Sequence, residues 1–454
     1  MRITHLTPKK QIEAIIDNVA SDKSISHRAV IFAFLSDKKS KIRNFLLGED
    51  TLNTLKIAMQ LGMKVFANGK EIQQISEIPQ NGEIELLRDE RGILEPSDIL
   101  DCGNAGTAIR LYLGLLATQK GHFILSGDEY LRIRPMKRVI APLNNIGAKI
   151  TARCDNNLAP ISITGQNLEA FSYHSEISSA QVKSAMILAA LNAKPSTKGK
   201  ISHFSEIALS RDHSERMLNG MGANLAIENN AITITPLNSP LKPLDLRIPS
   251  DPSSAFYFAI LALIINKNIT IKNMLLNKTR IEAFKVLESM GANIEIKLIE
   301  SAFEDIGDVT ISKDSPLKAI VVDKNIAWLI DEIPALAVLF AFVGGRSIVK
   351  NAAELRTKES DRIKATLENL AKLGVALEEF DDGFAIIGGF KIPDKKVAFD
   401  SYGDHRIAMS FAILGAVCEV EILDSACIDV SFPNFLEIVS QFMEVKNTER
   451  GDGD

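Results

Sequence analysis

The apolar positions of this sequence fall into six similar segments. Each segment opens with a polar, often charged stretch and continues as an Ala-rich apolar run of helical length. The segments begin at Asp22, Gly103, Ser178, Asp251, Asp331 and Gly403. Their starts lie roughly 70 to 80 residues apart, a longer period than that of the common solenoid repeats. Because apolar residues cover nearly the whole circumference of these helices, we expect burial on every side.

A second signature follows most of these segments, about 40 residues after each start. It is an amphipathic stretch that ends in glycine and then a small or apolar residue. The glycines are Gly62, Gly147, Gly222, Gly291 and Gly374. Glycine enters the left-handed backbone region without strain, which is typical of a helix C-terminus. Alternating stretches such as AITITPL and FAIIGGF follow and predict short strands.

Each unit is therefore predicted to hold two helices and several strands, with buried parallel helices wrapped by mixed sheets. This pattern predicts an α+β fold in which six units form two domains of three. The Pro-rich stretch NSPLKPLDLRIPSDPSS is the best candidate for a crossover, and we place the boundary near Arg247. Residues 22–247 would form one domain, and residues 1–21 with 248–454 the other.

Composition excludes several classes of protein. Hydrophobic residues make up 46% and charged residues 24% of the 454, a balance typical of soluble globular proteins. The longest apolar run, Ala255 to Ile265, is about half of the roughly 20 residues that a membrane span needs. The N-terminal residues lack the features of a secretory signal, so we expect a cytoplasmic protein without a membrane segment. The net charge of −5 argues against a nucleic-acid partner.

The four cysteines are scattered without metal-ligand or paired spacing. They are Cys102, Cys154, Cys418 and Cys427. This distribution suits a reducing compartment and argues against a structural zinc site. We expect each cysteine to serve in packing.

Cations stand among small hydroxyl and amide residues at three of the six helix starts. These groups are Lys23, Ser24 and Arg28; Ser179, Gln181 and Lys183; and His405 with Arg406. Further cations lie nearby in the motifs, namely Arg132, Arg134, Lys137, Arg138, Arg211, Lys358 and Arg362. Helix N-termini attract anions, and arginine forks match phosphate and carboxylate geometry. The predicted ligand is strongly anionic.

Acidic residues alternate with these cations. They are Asp331, Glu332, Glu359, Asp361 and Asp404. Each one could be a simply paired carboxylate or a group that transfers protons, and the residues alone leave both interpretations open. The segment GNAGTAIR fits neither common nucleotide-binding glycine motif, so a nucleotide enzyme has little support.

The motifs DKSISHR, GNAGTA, RPM, SAQ, KESDR and GDHR occur in this order over essentially the whole length. Together they resemble the 5-enolpyruvylshikimate-3-phosphate synthase family of enolpyruvyl transferases. The resemblance implies two inverse α/β prism domains, each of three repeats, with the substrates bound in the cleft between them. It implies transfer of the enolpyruvyl group of phosphoenolpyruvate to the 5-hydroxyl of shikimate 3-phosphate, with release of phosphate. No metal or organic cofactor is needed, and we expect a monomer.

The resemblance also assigns residues to roles. Shikimate 3-phosphate would contact Lys23, Ser24, Arg28, Ser179, Ala180, Gln181, Arg211, Asp331 and Lys358. Phosphoenolpyruvate would contact Lys23, Gly106, Arg134, Gln181, Arg362 and Arg406. Asp331 would accept the hydroxyl proton, Glu359 would deliver and later remove the methyl proton, and Lys23 would assist the departing phosphate. Asn104, Thr107 and His405 lie in the same motifs.

The sequence departs from the family pattern at one position and leaves alternatives open. Val430 stands where some members have a lysine. The motifs do not settle the response to the herbicide glyphosate, although Gly106 is a residue associated with sensitivity. A sister transferase acting on UDP-N-acetylglucosamine is disfavoured because no cysteine precedes an Arg-Pro pair. A non-catalytic anion binder would not need Asp331 and Glu359, and RNA end-processing is disfavoured by the acidic charge balance.

Overall fold

The computed structural model describes residues 1–9, 15–195, 200–301 and 303–449. The chain divides into two compact units. We call Ser21–Ile248 the central unit, and Met1–Ala20 together with Pro249–Asp454 the terminal unit. The second division point lies inside the Pro-rich stretch at 238–254.

The chain starts with two strands of the terminal unit, β1 (Arg2–Pro8) and β2 (Ile15–Ile16). The helices of the central unit are α1 (Lys23–Ala33), α2 (Glu49–Gln60), α3 (Gly106–Leu116), α4 (Lys137–Asn145), the single turn α5 (Arg153–Asn156), α6 (Ala180–Leu191) and α7 (His213–Gly220). Its strands are β3 (Ser40–Arg43), β4 (Lys64–Ala67), β5 (Lys70–Ile72), β6 (Ile84–Leu87), β7 (Leu100–Asp101), β8 (His122–Ser126), β9 (Lys149–Ala152), β10 (Leu158–Thr164), β11 (Ser172–Ser175), β12 (Ser202–Glu206), β13 (Leu225–Glu228), β14 (Ala231–Ile234) and β15 (Asp245–Arg247).

The terminal unit continues after Ile248. Its helices are α8 (Pro252–Ile265), α9 (Glu282–Met290), the short α10 (Ile326–Leu329), α11 (Ile333–Phe342), α12 (Arg362–Ala371), α13 (His405–Ala412) and α14 (Phe435–Val439). Its strands are β16 (Ile269–Leu275), β17 (Asn293–Ser301), β18 (Asp305–Ser312), β19 (Val321–Val322), β20 (Gly345–Val349), β21 (Ala376–Phe380), β22 (Gly383–Gly388), β23 (Val397–Asp400), β24 (Val420–Leu423) and β25 (Met443–Glu449). Short 3-10 helices occupy Ile75–Glu77, Leu131–Ile133, Ala353–Thr357, Ile413–Ala416 and Ser425–Val430.

Each unit contains three mixed sheets with the same strand pattern. The central unit has the orders β15-β3-β6-β4-β5, β7-β8-β10-β9 and β11-β12-β14-β13, and the terminal unit has β23-β24-β1-β25, β17-β18-β16-β2 and β19-β20-β22-β21. In every sheet one outer strand runs parallel to its neighbour, while the other pairs are antiparallel. Two units of three repeats with mixed sheets confirm the predicted fold class.

Two short strands pair out of sequence order. Strand β2 lies before helix α1 of the central unit but pairs with β16 of the terminal unit. Strand β15 lies before helix α8 of the terminal unit but pairs with β3 of the central unit. Likewise, β1 completes the last sheet by pairing with β24 and β25. The chain therefore closes each set of three repeats with a strand that is distant in sequence.

The first helix of each repeat is buried as predicted. These helices are α1, α3 and α6 in the central unit and α8, α11 and α13 in the terminal unit. In α8 every residue from Pro252 to Leu263 is buried, and in α11 every residue from Ile333 to Ala341. Helices α3 and α6 pack closely, since a Cβ at Gly114 would lie 2.2 Å from the carbonyl oxygen of Ala185.

The second helix of five repeats ends as the sequence predicts. Gly62, Gly147, Gly222, Gly291 and Gly374 all have φ between 74° and 103°, in the left-handed region. These helices are amphipathic: α9 buries Ala283, Phe284, Leu287 and Met290, which recur at helical spacing along one face. The strand predictions at 231–237 and 384–390 are confirmed by β14 and β22.

The cysteines are all free, but one differs from expectation. Cys102 and Cys418 are buried and Cys427 is partly buried, whereas Cys154 is exposed. The expectation of a packing role is therefore wrong for Cys154, which lies in the left-handed turn α5. Among the residues that the structure describes, no helix combines the length and apolar character needed to cross a bilayer.

Candidate active site

The central unit places Lys23 at the start of its first buried helix. Asp22 caps α1, because its carboxylate accepts a hydrogen bond of 2.8 Å from the Ile25 N–H. Lys23 begins the helix and forms an ion pair with the buried carboxylate of Asp50, in the first turn of α2. The Lys23 side chain remains 18% exposed, so its ammonium is held in place while part of the side chain reaches solvent.

Arg28 lies one helical turn further along α1 and is buried. Its guanidinium donates to the hydroxyl of Ser214 at 2.8 Å and to that of Ser184 at 2.9 Å. A third bond of 3.0 Å goes to the backbone carbonyl of Ser24. These three oxygens fix the orientation of the guanidinium.

The neighbouring residue, His27, is a buried histidine whose pKa is lowered. Its ring lies 2.7 Å from the Thr54 hydroxyl and is fully buried. Burial, and then the positive charges of Lys23 and Arg28, hold the pKa of His27 well below its usual value. His27 is therefore neutral at pH 7, mainly because it is buried, and the two neighbouring cations add to this effect.

A chain of hydrogen bonds connects α3 to α6. Arg110 donates to the Gln181 side-chain oxygen at 2.7 Å, and the Gln181 amide donates to the Thr107 hydroxyl at 3.0 Å. Arg110 also donates to the carbonyl of Pro135 at 3.1 Å. The predicted ligands Gln181 and Thr107 thus lie together, and Arg110 sets the direction of the Gln181 amide.

The sequence interpretation did not select Arg110. A signal was present, because Arg110 is a cation inside a helix that is otherwise apolar nearly all round, and it is 3% exposed. Buried charges require partners, so such a residue indicates a polar cluster nearby.

Arg134 lies against the first turn of α3. Its guanidinium donates to the carbonyl of Asn104 at 3.4 Å. A Cβ at Gly106 would come within 2.9 Å of the Arg134 guanidinium, so this position has space for glycine alone unless the guanidinium moves. The three predicted residues Asn104, Gly106 and Arg134 therefore form one local group.

The helix starts differ in how their N–H groups are capped. Ser179 caps α6, with Ala180 as the first helical residue, and its hydroxyl accepts from the Val182 N–H at 3.5 Å. The Asp404 carboxylate caps α13 in the same way and accepts from the Arg406 N–H at 2.8 Å. At α3 the cap position holds Ala105, whose side chain has no acceptor. Of these starts, α3 is the one best suited to bind an anion through its N–H groups.

The sequence groups Lys183 with Ser179 and Gln181 at a helix start that we expect to attract anions. This expectation is wrong for Lys183. Its ammonium lies 2.9 Å from a Glu206 oxygen and 2.8 Å from a Glu215 oxygen, and all three side chains are at most 1% exposed. The predicted ligand Arg211 is partly buried in the loop that joins these two glutamates.

In the terminal unit, three carboxylates meet at Arg362. Its guanidinium donates to Asp404 at 2.8 and 3.2 Å, to Glu359 at 2.6 Å and to Asp331 at 3.2 Å. Burial by itself disfavours the charged guanidinium, but the fields of Asp404, Glu359 and Asp331 outweigh burial and raise the pKa of Arg362. The structure therefore brings the two predicted proton-transfer residues to one cation.

The three carboxylates differ in their access to solvent. Asp404 is completely buried, whereas Asp331 is 18% and Glu359 17% exposed. Only Asp331 and Glu359 of these three keep the solvent access that a bound molecule would need.

Arg406 and His405 follow Asp404 at the start of α13, and both are buried. The Arg406 guanidinium donates to the hydroxyl of Tyr257 at 3.5 Å. Burial raises the pKa of Tyr257 to about 12, so this hydroxyl stays protonated. Burial disfavours the charge of Arg406, but Tyr257, which is ionised at the high pH where an arginine titrates, and the carboxylate of Asp331 outweigh burial and raise the pKa of Arg406.

Two further positions from the sequence analysis are Lys358 and Val430. The Lys358 ammonium pairs with Glu354 at 3.3 Å, one turn earlier in the chain, and is 17% exposed. Val430 is partly buried at the end of the 3-10 helix Ser425–Val430. In the portions of the chain that the structure describes, no group of three or more His, Cys, Asp or Glu residues could hold a metal ion.

Comparisons with known proteins identify the family of this chain. A profile described as EPSP synthase (3-phosphoshikimate 1-carboxyvinyltransferase) matches residues 6–439. The chain is 53% identical over 449 residues to the 3-phosphoshikimate 1-carboxyvinyltransferase of Wolinella succinogenes, covering 98% of both chains. It is 50% identical over 455 residues to the enzyme of the same name from Helicobacter hepaticus, covering 98% of this chain and 99% of the other.

The fold agrees with a solved structure of the same kind. The EPSP synthase of Acinetobacter baumannii superposes with a TM-score of 0.84 at 31% identity, covering 99% of this chain and 100% of the other. Nearly full coverage on both sides means that the whole chain, rather than one unit, carries the likeness. The chain belongs to the EPSP synthase (3-phosphoshikimate 1-carboxyvinyltransferase) family.

Proposed function

We propose that the clusters around Arg28, Arg134 and Arg362 bind the two substrates of the family reaction and carry its proton transfers. As a member of this family, the protein transfers the enolpyruvyl group of phosphoenolpyruvate to the 5-hydroxyl of shikimate 3-phosphate and releases phosphate. The reaction belongs to aromatic amino-acid biosynthesis. The observation that carries the residue assignment is the pairing of partly exposed Asp331 and Glu359 with one buried guanidinium.

Shikimate 3-phosphate would be held mainly by fixed cations and small polar groups. Arg28 is held in one orientation by the hydroxyls of Ser214 and Ser184 and by the Ser24 carbonyl, so its position is set before a substrate arrives. Lys23, Ser24, Ser179, Ala180, Gln181, Arg211, Asp331 and Lys358 would complete this pocket. Groups held before the substrate arrives lose little entropy on binding, which favours affinity.

Phosphoenolpyruvate would be held by a second set of residues, four of which are cations. It consists of Lys23, Gly106, Arg134, Gln181, Arg362 and Arg406. The uncapped first turn of α3 supports this assignment, because its N–H groups lie beside the Arg134 guanidinium and both favour negative charge. Asn104, Thr107 and His405 would support these contacts.

The reaction then requires two proton relays. Asp331 accepts the proton of the 5-hydroxyl while the hydroxyl oxygen attacks the central carbon of phosphoenolpyruvate. Glu359 gives a proton to the methylene carbon, which yields a tetrahedral intermediate. In the second step Glu359 removes a methyl proton as the carbon–oxygen bond to phosphate breaks, and Lys23 stabilises the departing phosphate.

The ion pairs of Arg362 explain how Glu359 could obtain a proton. While Glu359 pairs with the guanidinium, its charged form is favoured. The carboxylate of phosphoenolpyruvate would compete with Glu359 for that guanidinium, and an additional negative charge beside a carboxylate favours the protonated form of that carboxylate. Substrate binding would thereby prepare Glu359 to act as an acid.

The remaining expectations also stand as part of this proposal. We propose a cytoplasmic monomer that uses neither a metal nor an organic cofactor, because the reaction needs only proton transfer and charge stabilisation. The response to glyphosate stays open.

A phosphate-release assay tests the proposed function. Purified protein should release phosphate when phosphoenolpyruvate and shikimate 3-phosphate are present together, and not with either one alone. Release of phosphate with UDP-N-acetylglucosamine in place of shikimate 3-phosphate would favour the sister transferase. Tight binding of shikimate 3-phosphate without any turnover would favour a non-catalytic anion binder.

A further inference from the structure

The central unit contains a buried ionic cluster that the reaction does not use. Lys183 on α6 lies between Glu206, at the end of β12, and Glu215, in the first turn of α7. The exposure of these side chains is 1%, 1% and 0%. Such a cluster contributes less to stability than its charges suggest, because each ion loses its hydration on burial. A well-packed apolar trio could fill the same volume, so the charges call for a further explanation.

The cluster is connected to the loop that carries Arg211. Glu206 accepts hydrogen bonds from the Ser210 N–H at 2.8 Å and from the Ser210 hydroxyl at 2.9 Å. The Lys183 ammonium donates to the Ser210 carbonyl at 3.2 Å. All three polar groups of Ser210 are therefore engaged by the cluster, which fixes the backbone directly before Arg211.

The same cluster is adjacent to the support of Arg28. Lys183 and Ser184 are neighbours on α6, and Ser214 and Glu215 are neighbours on α7. Lys183 pairs with Glu215, while the hydroxyls of Ser184 and Ser214 lie 2.6 Å apart and both accept from Arg28. The contact between α6 and α7 thus includes the buried Lys183–Glu215 ion pair and the two serine hydroxyls that accept from the Arg28 guanidinium.

We propose that Lys183, Glu206 and Glu215 form a positioning cluster that sets the affinity for shikimate 3-phosphate. The cluster fixes the direction of Arg211 through Ser210 and that of Arg28 through the α6–α7 contact. This inference rests on the proposed function, in which both arginines hold that substrate. None of the three charged residues touches the substrate.

The charges of the cluster suit this role better than apolar packing would. Apolar side chains of similar volume can slide past one another, whereas an ammonium with three oxygens in hydrogen-bond range defines distances and directions. Burial raises the pKa of Glu215 above its usual value, although the nearby Lys183 opposes that shift. The cluster therefore keeps its geometry at the expense of some stability.

Glu206 provides the test, because two substitutions separate its hydrogen bonds from its charge. Glu206→Ala removes the acceptor for Ser210. Glu206→Gln removes the charge but retains a side-chain oxygen that can accept the same bonds. Glu304→Ala is the matched control, because Glu304 is also a buried carboxylate, 5% exposed, and accepts from Asn277 in the terminal unit.

The measurements are the Kd for shikimate 3-phosphate by titration calorimetry, and KM for phosphoenolpyruvate and kcat by phosphate release. Glu206→Ala loses two hydrogen bonds to the loop and weakens the third. We expect its Kd for shikimate 3-phosphate to rise about 10- to 30-fold, with KM for phosphoenolpyruvate and kcat changed less than about threefold. Glu206→Gln should restore Kd to within about threefold of wild type, and Glu304→Ala should leave it unchanged.

Two results would overturn the proposal. One is a folded Glu206→Ala variant with wild-type Kd for shikimate 3-phosphate. The other is an equal loss of affinity for both substrates, which would indicate general loosening. If Glu206→Ala does not fold, Ser210→Ala decides: a two- to fivefold rise in Kd supports the proposal, and no change contradicts it. Wild-type protein that fails to bind shikimate 3-phosphate would contradict the proposed function itself, whereas active wild type with unaffected variants contradicts this inference alone.

Discussion

Lys183 and Arg362 are two buried cations that are each surrounded by carboxylates, and their clusters differ in access to solvent. Lys183 in the central unit is paired with Glu206 and Glu215, which are at most 1% exposed. Arg362 in the terminal unit is paired with Asp331, Glu359 and Asp404. Both clusters carry more negative than positive charge, and both begin in motifs that mix cations with small polar residues.

Solvent access separates the two clusters. Around Lys183 every oxygen is enclosed, so no substrate atom can reach a carboxylate. Around Arg362, Asp331 and Glu359 keep 18% and 17% exposure, while the enclosed Asp404 anchors the guanidinium from behind. A buried cation with an excess of carboxylates therefore indicates a catalytic group only where some of those carboxylates stay accessible. Otherwise it indicates a positioning or structural cluster.

Removal of an accessible acid should have the largest effect. We expect Asp331→Asn and Glu359→Gln each to lower kcat at least about a hundredfold, because one positioned proton-transfer group typically contributes 10²- to 10⁴-fold. Binding of shikimate 3-phosphate, measured by calorimetry, should change little.

Asp361 provides the control for this pair. It lies in the same KESDR motif, caps α12 and pairs with Arg356 at 2.9 Å. Asp361→Asn keeps an acceptor for the cap and should leave kcat within about threefold of wild type. Near-normal turnover in Asp331→Asn or Glu359→Gln would remove that acid from the mechanism.

Removal of the enclosed cation should instead reduce stability. Lys183→Met leaves two buried carboxylates without their ammonium, and breaking a buried pair in this way costs about 3–5 kcal/mol. We expect a loss of that size in the free energy of unfolding in urea at pH 7. The double variant Lys183→Met with Glu215→Gln buries one charge fewer and should recover roughly half of the loss.

The loss in Lys183→Met should depend on pH with a definite sign. Burial already raises the pKa of Glu215 in the wild type, and removal of Lys183 takes away the cation that opposes this shift. A carboxyl whose pKa is higher in the folded state than in the unfolded state costs stability when ionised. The loss should be largest at neutral pH and shrink as the pH is lowered through the raised pKa of Glu215. A loss that stays constant over this range would show that packing, rather than charge, causes it.

Removal of an exposed ion pair should have the smallest effect on stability of the changes compared. Arg346 and Glu378 lie 2.7 Å apart with both side chains more than 40% exposed. Water screens such pairs, and side-chain entropy opposes them. Arg346→Ala should therefore leave the urea midpoint unchanged within error. A loss comparable to that of Lys183→Met would show that solvent access does not rank these clusters.

Much of the fold was predictable because it depends on local patterns. The glycines after the second helices have the left-handed backbone that their position suggests, and α8 and α11 are buried on all sides as their composition requires. The pairing of β2 with β16 and of β15 with β3, strands that are far apart in sequence, could not be predicted. Strands of two or three residues carry too little pattern to specify a partner, so the surrounding structure selects it.

The candidate site was predictable in part. Resemblance of whole motifs selected Lys23, Arg28, Arg134, Gln181, Asp331, Glu359 and Arg362 as candidates. Of these, the structure brings Asp331 and Glu359 to Arg362. Arg110 and the two hydroxyls that hold Arg28 were missed, because these partners are far apart in sequence and share no motif. Lys183 was expected at the accessible start of α6. It lies about one turn further along, where the helix is already buried.

The sequence by itself determined which segments become helices and strands, how often the unit repeats and which residue types gather at the helix starts. These properties depend on the spacing of apolar residues and on backbone preferences, both of which act over a few residues. The tertiary structure alone decided which carboxylates surround Lys183 and Arg362 and which of them reach solvent. Burial and ion pairing depend on side chains that are remote along the chain, and the same charged motif leads to an enclosed cluster or an accessible one according to what packs over it.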